Sequence, residues 1–217
     1  MNALLSIPVL VLSIVVHEVA HAWQARREGD DTADKLGRIT LNPIPHLDFL
    51  GSFLVPAMLY LSGTNFLFGW AKPVPVNPAN YRDYVPGDIR VSLAGIVSNL
   101  ALVAVATVLT GVVMKLNASG LSLGAAYEPI RTALRYGIQI NLILAFFNLI
   151  PIPPLDGSHV VAHLLPQQLA ARYRHFGQYG ILVLMGIMYF IPGAFSVVLW
   201  PVTFLEGVAD WFIRLWI

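Results

Sequence analysis

Long stretches of this chain carry no charged residue, and they are spaced like membrane segments rather than like the faces of soluble helices. Residues 2–16 lack any charge and stay apolar to about Gln24, which predicts a first helical span. Residues 49–71 are also uncharged but are broken by Gly51, Pro56, Gly63 and Gly69. Residues 91–114, bracketed by Arg90 and Lys115, form an unbroken third run, long enough for ~36 Å of helix and a full bilayer crossing. A fourth run, 136–155, closes in Pro151, Pro153 and Pro154. A fifth, 176–205, is interrupted at Pro192-Gly193 and Pro201 and reads as one kinked span or as a hairpin. Leu36-Gly37-Arg38-Ile39-Thr40-Leu41-Asn42-Pro43 alternates like a short strand closed by a turn, and Pro73-Val74-Pro75-Val76-Asn77-Pro78 must be extended. The pattern predicts an all-α polytopic membrane protein: a transmembrane helix bundle of about 5–6 membrane segments with a short membrane-associated β or extended region. One integral-membrane domain, 1–217, contains it, with C-terminal membrane segments at about 176–216.

Composition supports that class. The 217 residues are 57% hydrophobic and 12% charged, about half the charge of a typical soluble domain. The mean hydropathy is +0.69. A net charge of +1 without a long basic run points away from nucleic acid. The absence of cysteine excludes disulfides and thiolate metal sites, so any metal must be held by histidine and carboxylate. The first residues lack the basic start and small-residue cleavage site of a signal peptide, and the first run is expected to be a retained helix. Arg26, Arg27, Lys35 and Arg38 follow that helix directly, which assigns its exit end to the cytoplasm. Trp23, Trp70, Trp200 and Trp211 lie near span ends and read as interfacial belts.

Into this apolar background His17-Glu18-Val19-Ala20-His21 brings two imidazoles and a carboxylate. Ionisable groups inside a span are costly, by several kcal/mol in order of magnitude, and mark function. On a helix His17 and His21 lie one turn apart on one face, so both rings can reach one metal. Glu18 is rotated by about 100° from His17, near enough to act on water without being a ligand. A third ligand is available at Asp156, which follows the prolines of Asn148-Leu149-Ile150-Pro151-Ile152-Pro153-Pro154-Leu155-Asp156-Gly157. Those prolines should end the fourth helix, and irregular backbone at membrane depth survives only against protein or a wet cavity. Two histidines and one aspartate complete the three-ligand set of catalytic zinc.

These motifs resemble the site-2 protease family of intramembrane metalloproteases, which carries HExxH in one core helix and an Asp-Gly motif at the end of another. The stretches Leu36–Pro43, Phe68–Pro78 and Asn148–Gly157 look like a compact bacterial branch of it, and the resemblance covers roughly residues 5–160. It implies zinc, one per chain, held by His17, His21 and Asp156, with Glu18 as general base. It also implies a single-pass membrane protein as substrate, cut near the cytoplasmic face of a bacterial cytoplasmic membrane. Two departures stand out. Where the family often has Gly-Pro before an asparagine, this chain has Gly95-Ile96-Val97-Ser98-Asn99, and no segment is long or polar enough for the PDZ or CBS domain of many relatives.

Asn99 and Asn148 are candidates to orient the peptide or stabilise its oxyanion, with simple helix packing as the alternative. For both ligand segments to reach one metal, the chain between them must cross the membrane an odd number of times. Residues 91–114 supply one crossing, so 49–71 is expected to be re-entrant or interfacial. The extended segments could hold an unwound substrate as an added strand. His159 and His163 form a second i, i+4 pair without an acid between them, read as interfacial, while His46 and His175 have no supporting pattern. The competing functions are a catalytically silent binder of membrane segments, disfavoured by the intact Glu18, and a membrane di-iron oxygenase, which would need more than six histidines. A metal transporter would need ionisable groups along several spans, and residues 91–114 have none.

Overall fold

A computed structural model describes residues 3–61, 71–121, 123–191 and 193–216. The first run forms α1 (Ala3–Glu28), which continues through Pro8 and ends with Arg26 and Arg27 in its last turn, where cations oppose the negative end of the helix dipole. A short α2 (Thr32–Lys35) follows. Within the broken second run the described residues form a wide helical turn at Phe49–Leu54 and the start of α3 (Val55–Leu61). Residues 62–70 of this stretch, which is expected to be re-entrant or interfacial, lie outside the described residues, and with them Gly63, Gly69 and Phe68–Trp70.

The third run is the middle of a longer helix, α4 (Tyr84–Ala118), and the fourth belongs to α5 (Tyr127–Asn148). Both start before their uncharged cores because Arg90 in one and Glu128, Arg131 and Arg135 in the other sit on helical turns that carry charge at the rim. Helix α5 stops at Asn148, as the following prolines require. Then come α6 (Gly157–Leu164), α7 (Gln167–Phe190) and α8 (Ala194–Arg214). The fifth run is therefore two helices, separated near Gly193, whose φ is +83°. Pro201 does not interrupt it: the residue lies inside α8.

The molecule is mostly helical, and among the described residues there is no strand. The strand expected at 36–43 is replaced by turns, because Lys35, Leu36, Gly37 and Arg38 donate their backbone N–H groups back to residues 31–34. Residues 71–77 form neither helix nor strand. Their polar groups go elsewhere: Lys72 N–H to His46 O, and the Lys72 and Pro73 carbonyls to the Arg38 guanidinium.

Helices α1, α4 and α5 form the centre. His17 of α1 meets Asn99 of α4, while His21, one turn later, meets Val91, eight residues earlier in α4. Asn141 of α5 meets Asn99, while Gly137, one turn earlier, lies against Ala106, so α4 runs antiparallel to both. Small residues allow the close approach: Ala25, packed on Val91 of α4, and Ala145 of α5 are fully buried. On the far side of α4 and α5, α8 contributes Val202, Ala209 and Ile213 to a core with Ala106, Ile138 and Leu142. The outer surface is inverted relative to a soluble protein, with Leu182, Phe190, Trp200, Phe204 and Trp211 all exposed. Among the described residues, Leu5–Glu28 and Tyr84–Ala118 are long and apolar enough to cross a membrane.

Beyond the rim of α1, Asp30 is buried and fastens the helix end to the segment that follows residue 76. It accepts from Asn77 N–H at 2.6 Å, Asn80 Nδ2 at 2.8 Å and the Thr32 backbone N–H and hydroxyl. Burial alone would raise its carboxyl pKa, but these donors outweigh it and hold the group below its ordinary value. A depressed folded-state pKa stabilises fully above the unfolded value and is lost as pH falls through the folded one. Asp30→Ala should therefore lower stability by about 3 kcal/mol at neutral pH, with the difference from native shrinking in acid below about pH 4. Thermal unfolding in detergent across pH measures both.

Candidate metal centre

The exit end of α1, the first third of α4 and the loop after α5 meet at one point. His17 Nε2 and His21 Nε2 are 3.0 Å apart, and Asp156 Oδ2 lies 3.3 Å from each. Among the described residues, these three form the group that could hold a metal ion. Their spacing follows from local rules: positions one turn apart share a helix face, and a proline-terminated helix hands its next carboxylate to the loop.

The outer nitrogens of both rings are occupied. His21 Nδ1 is 2.7 Å from the Val91 carbonyl, which can only accept, so Nδ1 carries the proton and Nε2 the lone pair. His17 Nδ1 is 2.6 Å from Asn99 Oδ1 in the same sense. Asp156 Oδ2 is buried and receives no hydrogen bond. Three lone pairs thus converge in a buried site with no donor among them, a set that repels itself unless a cation is present. A tetrahedral ion with arms of roughly 2.0–2.1 Å has edges of about 3.3–3.4 Å, close to this triangle. The residues fit a divalent metal.

Gly95 of α4 makes the convergence possible. A Cβ there would fall 2.5 Å from both His17 Cε1 and His21 Nε2, so any side chain would push the rings out of register. Gly180 of α7 does the same for the third ligand: its Cβ would sit 1.5 Å from Pro153 O, in the loop that delivers Asp156.

A cavity of about 220 Å³ opens beside the triad, lined by Ile14, His17, Glu18, Asn148, Pro153 and Leu184, among others. Glu18 Oε2 accepts from Val74 N–H at 2.8 Å, which anchors its carboxylate to the extended segment. Asn148 donates to Leu144 O at 2.9 Å. Asn99 is placed differently: it is wholly buried behind His17 and does not line the cavity. His159 and His163 stand apart from the triad and flank the buried Asp88 Oδ2 at 3.3 and 2.7 Å. Asp88 carried no signal in the sequence, because its partners lie more than 70 positions away. Gly180, Asn141 and Ser13 went unmarked too. For Ser13 and Asn141 the only available hint is a polar residue inside an otherwise apolar run.

The Peptidase family M50 profile matches residues 104–191. A Bacillus subtilis (strain 168) protein named "Putative zinc metalloprotease YwhC" is 39% identical over 193 residues, covering 88% of this chain and 82% of that protein. "Putative zinc metalloprotease Rip2" of Mycolicibacterium smegmatis is 27% identical over 210 residues, covering 94% and 74%. "Putative zinc metalloprotease MJ0611" of Methanocaldococcus jannaschii is 27% identical over 167 residues, covering 72% of each. No solved structure matches the chain.

Gly95→Ala should weaken divalent-metal affinity by roughly 10–100-fold while the helices remain folded, since only the ring positions are disturbed. Gly180→Ala should act in the same direction through Asp156. Competition with a chromophoric chelator, beside circular dichroism, separates metal loss from unfolding.

Proposed function

The chain belongs to peptidase family M50, the site-2 protease family, and from that premise we propose that it is an intramembrane zinc endopeptidase. It hydrolyses peptide bonds within or near the transmembrane segments of membrane-protein substrates, single-pass proteins in the first instance. The observation that carries this reading is the triangle of His17 Nε2, His21 Nε2 and Asp156 Oδ2, with both Nδ1 protons already committed. The zinc metalloprotease names of the relatives support the choice of metal, one ion per chain.

Bound zinc supplies Lewis-acid polarisation of the scissile carbonyl and makes water nucleophilic at neutral pH. The protein groups do the rest. Glu18, held at Oε2 by Val74 N–H, offers its other oxygen to take the proton of the attacking water and return it to the leaving amine nitrogen. Asn148 spends one N–H on Leu144 O and keeps the other for the carbonyl oxygen of the substrate as negative charge develops there. Leu144, Phe147, Ile181 and Leu184 give the cavity apolar walls suited to a peptide drawn from a membrane helix. The basic residues after His21 support an orientation in which this end of the bundle faces the cytoplasm, in a bacterial cytoplasmic membrane.

The rival readings find less support. A silent binder has no use for a carboxylate fixed beside the metal triangle. A di-iron site would draw on His159 and His163, which are engaged by Asp88 instead.

The test is cleavage of a panel of reporter transmembrane segments by the purified, zinc-loaded protein beside Glu18→Gln, with metal content measured on both. Native cleavage, a roughly 10²–10⁴-fold slower variant and equal zinc in each are expected. Equal cleavage by the variant would remove Glu18 from the mechanism, and iron in place of zinc would end the protease reading.

A further inference from the structure

Four buried polar side chains from three helices form a hydrogen-bonded line that ends on His17, and its direction can be worked out from the backbone alone. Ser13, Asn99 and Asn141 are each no more than 2% exposed. Ser13 Oγ lies 2.8 Å from Val9 O, a carbonyl that can only accept, so the hydroxyl proton points there and the oxygen shows a lone pair to its other neighbour. That neighbour is the Asn141 amide, 2.9 Å away, whose same end also lies 2.7 Å from Gly137 O. Facing two acceptors, this end must be the NH2 group. Asn141 Oδ1 is then turned towards Asn99, whose facing end, 2.7 Å off, must donate and is also an NH2 group. Asn99 Nδ2 has a further acceptor in Ser13 O at 3.5 Å. Its Oδ1 is left facing His17 Nδ1 at 2.6 Å. An amide oxygen only accepts, so Nδ1 must hold the proton and Nε2 must be the free donor to the metal.

We infer that Asn141 is a positioning residue of the metal centre: with Ser13 and Gly137 O it fixes the orientation of the Asn99 amide, which dictates the His17 tautomer that can bind zinc through Nε2. The inference rests on the zinc reading of the triad and adds a layer to it. Without the line, the Asn99 amide is symmetric in shape and could present either end to the imidazole. Presented with NH2, His17 would keep its lone pair on Nδ1 and carry its proton on Nε2, in the middle of the ligand triangle. A wrong turn of the Asn99 amide would then close the site to the cation. The energetic weight comes from the setting, since an unpaired amide in an apolar bundle is expensive and a fully paired one has a single orientation. His21 supplies an internal control, because its Nδ1 is held by the Val91 carbonyl and owes nothing to this line.

The experiment uses the zinc-loaded protein in detergent with ¹⁵N-labelled histidine, reading which ring nitrogen carries the proton, together with zinc affinity by chelator competition. In the native protein both His17 and His21 should coordinate through Nε2 with the proton on Nδ1. Asn141→Leu should weaken zinc by roughly 10–100-fold and shift or abolish the Nδ1–H signal of His17, leaving that of His21 in place. Asn141→Asp, whose carboxyl stays neutral in this apolar site, keeps an acceptor for Asn99 and a donor for Gly137 O and should restore both readouts. Should Asn141→Leu fail to fold, the native and Asn141→Asp proteins decide the matter. Coordination of native His17 through Nδ1, an Asn141→Asp protein that loses both readouts, or an Asn141→Leu protein with native affinity and signals would each overturn the assignment. The readouts are independent of turnover. Native protein that binds zinc through Nε2 but cuts no reporter defeats the proteolytic reading alone, and native protein that takes up no zinc defeats both.

Discussion

Three acceptor atoms within 3.3 Å of one another, with no proton donor among them, are the constraint on which the rest of this structure depends. In an apolar bundle such an arrangement is self-repelling, and the surrounding helices must hold it together. Helix α1 provides two rings on one face, α4 presses Gly95 against them, and α5 ends where its prolines can turn Asp156 inward. Each outer imidazole nitrogen is tied to a different kind of acceptor: a backbone carbonyl for His21, and a side-chain amide backed by a polar line for His17. The packed bundle thereby fixes both tautomers.

The third ligand depends on a different kind of support. Asp156 sits in a loop without regular secondary structure, and that loop is clasped from outside by α7 through Gly177 and Gly180 and by the Tyr173 hydroxyl on Pro151 O. From inside, α6 begins at Gly157 and is tied to α4 through Asp88, with His163 buried and His159 half exposed. The second histidine pair thus secures the helix that follows the ligand. Helix α7, undiagnostic as sequence, forms one wall of the cavity and holds its loop.

Much of this was legible in the chain. The paired histidines, the proline-ended helix and the aspartate after it are local signals, and the structure brings those three residues together. The uncharged runs located the long helices, though α4 and α5 begin earlier because charged turns at a helix end leave no trace in an apolar count. The expected strand at 36–43 failed for a related reason. Alternating apolar residues satisfied the strand pattern, but the backbone at 35–38 bonds back onto residues 31–34, and among the described residues no strand forms. Asn99 stands out as a polar residue in a span, yet its place behind His17 cannot be read from position alone.

By itself the sequence determined which atoms were available: i, i+4 imidazoles on one face, a carboxylate behind prolines, and an apolar chain able to bury them. These depend on helix periodicity and on proline geometry, which act over a few residues. The tertiary structure alone decided which atom faces which. Ser13 meets Asn141 across 128 positions, and Asn99 meets His17 across 82. The direction of a buried amide is set by the acceptors packed around it, and only the assembled helices bring those acceptors within reach.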